Sequence, residues 1–575
     1  MQQLAETCEA VAATTKKTDK IRLVAGYFHA SPAEAPQAAV FLSGRAFSAW
    51  DQRTLQVGGT LLWRAVAEIS GKGEVALTAA YRKYGDMGSA AAEVLASVAP
   101  KKSSLALGDL FTAFDALART SAAAAKARLL QDLLRRATAL EAKYIIKIIG
   151  GDLRIGLRES LVEEAIALAF EEKPAAVQRA NMLLGDLAET LRLAAAHTLS
   201  HARMRLFHPL GFMLASPAAD AEEALSYFSR AAVEDKYDGV RAQAHCGGKD
   251  DPRVRIFSRT LDEIGESFPE LPPALSAFPD PVILDGEILA WDTVNNRALP
   301  FSELQKRLGR KEVSEELVRD VPVAYMVFDV LYAAGELSID RPLEERRKIL
   351  EQTVASVPEG GFNVTPGRAT LRVQGTLAFE PGVDAGSAPP RVILAPVLAA
   401  GSPQQLDEMF AAARQRGNEG LMVKDLDSPY TPGRRGKAWL KLKRELATLD
   451  VVVTAVEWGH GKRAGVLSDY TFAVRDGDRL LNVGKAYSGL TDAEIAELTP
   501  WFFEHTVEDH GFSRLVEPKI VIEVAFNNMT RSDRHQSGFA LRFPRIVRIR
   551  ADKPVEEIDS LETVRGIYEK QGLAQ

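Results

Sequence analysis

Cysteine is almost missing from the 575 residues, with Cys8 and Cys246 as the only pair. Two thiols so far apart exclude a disulfide-framed scaffold and a four-cysteine zinc site, and they suit a reducing, cytoplasmic setting. No run approaches the ~18 apolar residues of a membrane span, so no membrane partner is expected. The opening stretch MQQLAETCEAVAATTKK lacks a basic segment followed by an apolar one, and no secretory signal is expected. Charge of one sign is not in excess either. Against 71 Lys and Arg stand 77 Asp and Glu, a formal −6, which excludes a uniformly basic nucleic-acid binder and leaves only local clusters to grip a polyanion.

Two such clusters are present. Lys126 to Arg158 holds eight basic residues against three acidic, and Met529 to Lys553 holds seven against two. Either run alone reads equally well as a solvated face. The length implies about three or four domains.

Texture divides the chain. The first ~205 residues are rich in Ala, Leu and Arg and read as all-helical. AAAAKARLLQDLLRRATALEAKYIIKIIGG has helical periodicity up to a Gly pair able to stop a helix, and DLRIGLRESLVEEAIALAF starts another after a tight turn. FHPLGFMLASPAADAEEA, with its Pro and Gly, reads as a linker. From about 222 to 445, short β-rich runs (VRAQAHC, RVRIFSR, VILDGEILAW, VAYMVFDVLY, GLMVKD, AWLKLK) alternate with helical stretches, an α+β pattern. A Pro/Gly-rich stretch at about 355–392 reads as an insertion. After 445, closely spaced strands suggest a small β-barrel of OB type. The expected fold is thus multidomain: an all-α domain at 1–207, an α+β domain at 215–445 and a β-barrel OB-fold domain at 446–575.

The central region carries a series of chemically pointed segments. EDKYDGVR holds Glu234, Lys236 before an Asp-Gly turn, and Arg241; IFSRTLDE holds Arg259. LDGEILAW puts Glu287 at the start of a strand, and YMVFDVLY offers Phe328 and Asp329. GNEGLMVKD supplies Glu419 and Lys424, and RRGKAWLKLK supplies Arg435, Lys441 and Lys443, the last two on one strand face. Each piece alone has a plain reading as a turn, a hairpin face, a core ring or a solvated strand. His208 and His245 lack metal spacing and read as structural, as does Cys246 before its Gly-Gly turn.

Taken together and in this order, the segments from about 234 to 443 resemble the covalent nucleotidyltransferases: ATP-dependent DNA ligases first, RNA ligases and mRNA capping enzymes more distantly. SGFALRFPRIVRIRADK is similar to the arginine-rich closing motif of a ligase OB domain. GGDLRIGLRESLVEEAI is similar to the DNA-binding domain that precedes the core of archaeal and eukaryotic ligases.

The resemblance implies a reaction and a set of roles. Lys236 attacks the α-phosphate of ATP, expels pyrophosphate and becomes lysyl-AMP; AMP moves to the 5′-phosphate of a nick, and the 3′-hydroxyl displaces it. Glu234 faces the adenine, Phe328 stacks on it, and Arg241 and Arg259 contact ribose or phosphate. Glu287 and Glu419 serve a Mg²⁺ ion, and Arg435 and Lys441 hold phosphates, with Lys424 and Lys443 as further contacts. Arg545, Arg548 and Arg550 orient the pyrophosphate, while Arg154 and Gly156 meet DNA. The partner is nicked duplex DNA, a sliding clamp is a further partner the resemblance admits, and a monomer enclosing the duplex is expected. ATP is favoured over NAD because no four-cysteine zinc site is possible.

Charge chemistry makes the set coherent. A lysine amine attacks phosphorus only when neutral, whereas a free lysine has a pKa of ~10.4. Nearby cations disfavour its charged form, and acidic neighbours do the opposite. The motif is consistent if Glu234 faces the base and Asp235 and Asp238 point to solvent or turn amides. A capping guanylyltransferase or RNA ligase would leave the helical domain without a task. An inert nick-binding scaffold would leave the set Lys236, Glu287, Glu419, Lys441 and Lys443 unexplained.

Overall fold

The computed structural model describes residues 1–295, 297–310, 312–357, 391–443, 447–459, 463 and 465–573. The insertion expected at about 355–392 therefore lies, over 358–390, outside the described residues. The chain forms two compact units, Met1–Arg203 with Glu445–Leu573, and Met204–Arg444. Among the described residues, no helix is long and apolar enough to cross a membrane.

The first unit opens with helices from Gln2–Ala13 to Leu187–Ala195. The periodic stretch that reads as one helix is two, Ala123–Arg136 and Ala139–Ile149. A capping box restarts the chain between them: Thr138 Oγ1 accepts the Glu141 N–H at 3.2 Å, and the Glu141 carboxylate accepts the Thr138 N–H at 2.8 Å. Nor is the Lys126–Arg158 run a continuous gripping surface. Lys126 and Lys147 are buried and donate to the Leu55 and Leu153 carbonyls.

The C-terminal part of this unit is built on one long strand, Ala447–Trp458. It pairs with Leu467–Asp476, with Val521–Phe526 along its first half and with Ser513–Val516 at its end. Register shifts along it let one strand serve several neighbours and curl the sheet around Val451, Val453, Phe472, Val483, Val524 and Phe526, the OB-fold core.

The second unit stacks two sheets. In the first, the strands Leu214–Ala218, Arg435–Leu442, Gly420–Asp425 and Ala231–Lys236 lie side by side. One face, with Val233, Leu421, Val423, Leu440 and Leu442, packs on Leu406 and Phe410 of the helix Pro403–Gln415. In the second, Val254–Ser258, Val240–Cys246, Val282–Asp292 and Val323–Ala333 follow one another, and Ala242, Ala244, Leu284, Ile288 and Tyr325 enter a separate core. The period of two along every strand sends the charged residues to the opposite faces. Glu287 lies in the middle of its strand rather than at its start, paired with Arg241 on one side and Met326 on the other.

The segment that reads as a linker belongs to this unit's core. Leu214–Ala218 pairs in parallel with Arg435–Leu442. Upstream, the Phe207 N–H donates to His245 Nδ1 at 3.0 Å and the Leu210 N–H to Gln243 Oε1 at 2.8 Å. Burial pulls the His245 pKa down to about 3, so the ring stays neutral, accepting at Nδ1 and donating from Nε2 to Gln243 at 2.7 Å. His245 is a structural residue, as its lack of metal spacing suggests.

Gly286 shows how tightly the second sheet is closed. A Cβ there would stand 2.5 Å from the Met326 carbonyl oxygen and 2.6 Å from the Tyr325 ring, whose hydroxyl is tied to the Ala242 and Leu284 carbonyls. Gly286→Ala is expected to destabilise this unit by about 1–3 kcal/mol through overpacking. A urea unfolding midpoint equal to wild type would contradict it.

Candidate functional site

The inward faces of the two sheets meet in a cleft, and Lys236 stands at its edge as the last residue of its strand. Lys236 pairs with Gly420 across the sheet, and the Glu419 N–H donates to the Lys236 carbonyl at 2.8 Å. That backbone bond brings the two side chains together: Lys236 Nζ donates to Glu419 Oε2, and Lys443 Nζ reaches the same oxygen at 2.6 Å. Burial alone would raise the Glu419 pKa, yet Lys236 and Lys443 hold it below the usual carboxylate range.

Two of the acidic neighbours of Lys236, Glu234 and Asp235, are held elsewhere. Glu234, on the same face, binds Lys424 Nζ at 2.6 Å, both side chains being buried. Asp235 faces the other way and is gripped by Arg416 through both oxygens, at 2.8 and 2.9 Å, and by Asn418 Nδ2 at 2.7 Å. For Asp235 the expected solvent or turn amides are replaced by a guanidinium and a side-chain amide.

Phe328 owes its position to a β-bulge. Asp285 pairs with Asp329 and Gly286 with Val327, so Phe328 is the extra residue, swung into the cleft. It meets Trp439 edge-on at 6.1 Å, and Lys424 Nζ lies 4.4 and 4.3 Å from the two ring centroids. Asp329, next in line, serves the fold through a bidentate pair with Arg346 at 2.9 Å, both fully buried.

Arg241 is fixed by a carboxylate that motif reading passes over. Asp285 takes two of its N–H groups at 3.1 and 2.7 Å and accepts the Tyr430 hydroxyl at 2.6 Å, while Tyr430 accepts the Met213 N–H at 3.0 Å. The Asp-Gly pair in LDGE suggests a turn, yet both residues lie inside a strand. Asp285, Tyr430, Trp439, Arg416 and Asn418 are the positions sequence reasoning missed. A signal was present for Asp285 alone, as an aspartate on the same strand face as Glu287.

The remaining groups form an electrostatic field. Burial, followed by Arg435, Lys236 and Arg259, pushes the Lys441 pKa below the usual lysine value, and burial and Lys236 do the same to Lys443. Glu287 is raised to about 7, first by burial and then by Asp285 and Glu419, against the pull of Lys236 and Arg241. The structure therefore gathers Glu234, Lys236, Arg241, Arg259, Glu287, Phe328, Glu419, Lys424, Arg435, Lys441 and Lys443 in one unit. Glu287 and Glu419 offer hard oxygen donors close enough to perturb one another, a pair that suits Mg²⁺, which takes one or two carboxylates beside phosphate and water. Among the described residues, no group of three or more His, Cys, Asp or Glu is assembled as a metal cage.

The other expected residues lie in the first unit. Arg154 is exposed with a left-handed backbone, φ +52°, and donates from Nη1 to the Gly85 carbonyl at 2.7 Å; Gly156 follows at φ +65°. In the closing motif, Arg550 is clamped on Asp450 through both oxygens at 2.9 Å and on Asp552, and Arg548 pairs with Glu523 at 2.7 Å, its side chain 60% exposed. Arg545 is exposed at the start of its strand.

Comparison with known proteins accounts for the whole chain. The family described as ATP dependent DNA ligase domain matches residues 212–443, DNA ligase N terminus matches 1–167, and ATP dependent DNA ligase C terminal region matches 463–553. A protein of Koribacter versatilis (strain Ellin345) named Probable DNA ligase is 60% identical over 99% of this chain and 97% of its own length. A DNA ligase of Methanopyrus kandleri is 35% identical over 99% of this chain and 98% of its own. The solved structure called Pmar-Lig_PreS3 covers 95% of this chain and 99% of its own with a TM-score of 0.58 at 17% identity, a likeness of fold.

The Glu287 shift has a defined sign. Folding raises its pKa from 4.5 to about 7, so the folded protein keeps the proton where the unfolded chain has lost it. Relative to Glu287→Gln, wild-type stability is expected to be level below about 4.5, to fall between about 4.5 and about 7, and to be level again above. The total fall is about 3 kcal/mol. Urea midpoints of both proteins across this range, free of metal and nucleotide, check it; a constant difference would contradict it.

Proposed function

The chain belongs to the ATP-dependent DNA ligase family, and from that premise we propose how its residues divide the reaction. Lys236 Nζ attacks the α-phosphorus of ATP in line, forming an N–P bond as the bond to pyrophosphate breaks. Glu419 Oε2, hydrogen-bonded to Nζ, orients the amine and is the first acceptor for its proton. Lys441, Lys443, Arg259 and Arg435 receive the phosphates, the transfer being chiefly a matter of position and charge.

Phe328 stacks on the adenine, with Glu234, held by Lys424, at the base and Arg241, held by Asp285, toward the ribose. Glu287 and the second oxygen of Glu419 would hold Mg²⁺, which when bound neutralises phosphate charge. The lysyl-AMP then gives AMP to the 5′-phosphate of a nick, and the 3′-hydroxyl displaces it to close the strand. Arg154 and Gly156 contact the duplex, and Arg545, Arg548 and Arg550 act on pyrophosphate during the first step. For Arg550 that role requires its grip on Asp450 and Asp552 to loosen. The working division is 1–207, 215–445 and 446–575, in a cytoplasmic monomer that encloses nicked duplex, with a sliding clamp as a further partner.

One observation carries this reading: Lys236 and Lys443 share one carboxylate oxygen of Glu419 at the ends of neighbouring strands, with Lys441 and Glu287 inside the same field.

Incubation with α-³²P-ATP and Mg²⁺, followed by denaturing electrophoresis, is expected to label wild type with an acid-labile adduct and to leave Lys236→Ala unlabelled. Folded wild type that takes no label would sink the assignment. Arg548→Ala is expected to slow self-adenylation by about tenfold or more while sparing the sealing of pre-adenylated nicks. Equal loss of both steps would count against its pyrophosphate role.

A further inference from the structure

The loop at 150–158 is built in two layers. Asp152, Arg154 and Gly156 are exposed, whereas Leu153 and Ile155 are buried. Interior carbonyls need donors, and here the donors are ammonium groups. Lys147 Nζ donates to the Leu153 carbonyl at 3.1 Å and pairs with Asp86 at 2.8 Å. Lys20 Nζ donates to the Ile155 carbonyl and, at 2.8 Å, to that of Val11. The two lysines are 7% and 6% exposed and come from different helices, Ala139–Ile149 and Lys17–Ala30. Lys20 also lies directly beneath Gly156, where a Cβ would stand 3.2 Å from its Nζ.

Burying an ammonium is costly, and neutral donors would satisfy two carbonyls as well. What an ammonium adds is a firm inward hold on the loop's electronegative oxygens and, from Lys20, positive charge beneath Gly156, the charge of Lys147 being answered by Asp86. A loop that meets a phosphate chain needs both, because outward carbonyls repel phosphate while N–H groups and arginine attract it.

We propose that Lys20 and Lys147 are positioning residues for DNA: they hold the Leu153 and Ile155 carbonyls inward, so that Arg154 and Gly156 present a preset, electropositive edge to the phosphate backbone. This rests on the reading of that loop as a DNA contact. Lys126 supplies a matched control. It is 3% exposed, belongs to the same helical region and donates to the Leu55 carbonyl at 2.8 Å, away from the loop.

The test uses the full-length protein and a nicked duplex, measuring KM for DNA, kcat for sealing, self-adenylation and melting temperature for Lys20→Met, Lys147→Met, Lys126→Met and Arg154→Ala. Lys20→Met and Lys147→Met are expected to raise KM for DNA about tenfold, with kcat and self-adenylation within about twofold of wild type. Lys126→Met is expected to lower the melting temperature with KM unchanged. The inference is overturned if folded Lys20→Met and Lys147→Met keep the wild-type KM while Arg154→Ala raises it, or if Lys126→Met raises KM as much as they do. If Arg154→Ala also leaves KM unchanged, the reading of the loop as a DNA contact fails first. Should Lys20→Met not fold, Lys147→Met decides by the same comparison.

Discussion

Like charges crowd the cleft around Lys236, and the strands that carry them must hold together before any phosphate arrives. Glu419 bears most of that strain. Its N–H binds the Lys236 carbonyl while its carboxylate is shared by Lys236 and Lys443, so one residue sets both the backbone register and the charge balance. Lys441 and Lys443 still sit below the usual lysine pKa, burial and neighbouring cations being incompletely answered by carboxylates. A triphosphate supplies the missing negative charge. Affinity for a triphosphate and the crowding of cations around Lys236 thus share one cause.

Around this centre, buried and half-buried ion pairs fix the side chains assigned above to the nucleotide. Asp285 holds Arg241, Lys424 holds Glu234, and Arg416 with Asn418 holds Asp235 away from Lys236. Such pairs contribute little net stability, since desolvation offsets much of their attraction, but removing one partner strands the other in the interior. Their effect here is geometric. The bulge at Phe328 works in the same direction, turning one ring into the cleft while the next residue, Asp329, secures Arg346 behind the sheet.

The first unit applies buried charge in another way. Lysines that count toward a basic run in sequence lie inside, bonded to carbonyls, and Arg548 and Arg550 of the second run are paired with acids. A tally of basic residues overstates the free charge on such a surface. The positions that face outward, Arg154 among them, depend on what lies beneath.

By itself the sequence determined the class and most of the chemistry. The order of Lys236, Arg241, Glu287, Phe328, Glu419 and the Lys441–Lys443 pair is a one-dimensional pattern, and the alternation of strand residues states which of them share a face. Helical, α+β and barrel textures were legible for the same reason, because periods of 3.6 and 2 are local properties. Only the tertiary structure decided which acid meets which base. Asp235 and Glu234 are neighbours of Lys236 in the chain, yet strand geometry sends one to Arg416 and the other to Lys424, and it brings Glu419, 183 residues away, onto Lys236. Ion pairs depend on distances across a sheet and between sheets, and those are set by register, bulges and packing rather than by spacing along the chain.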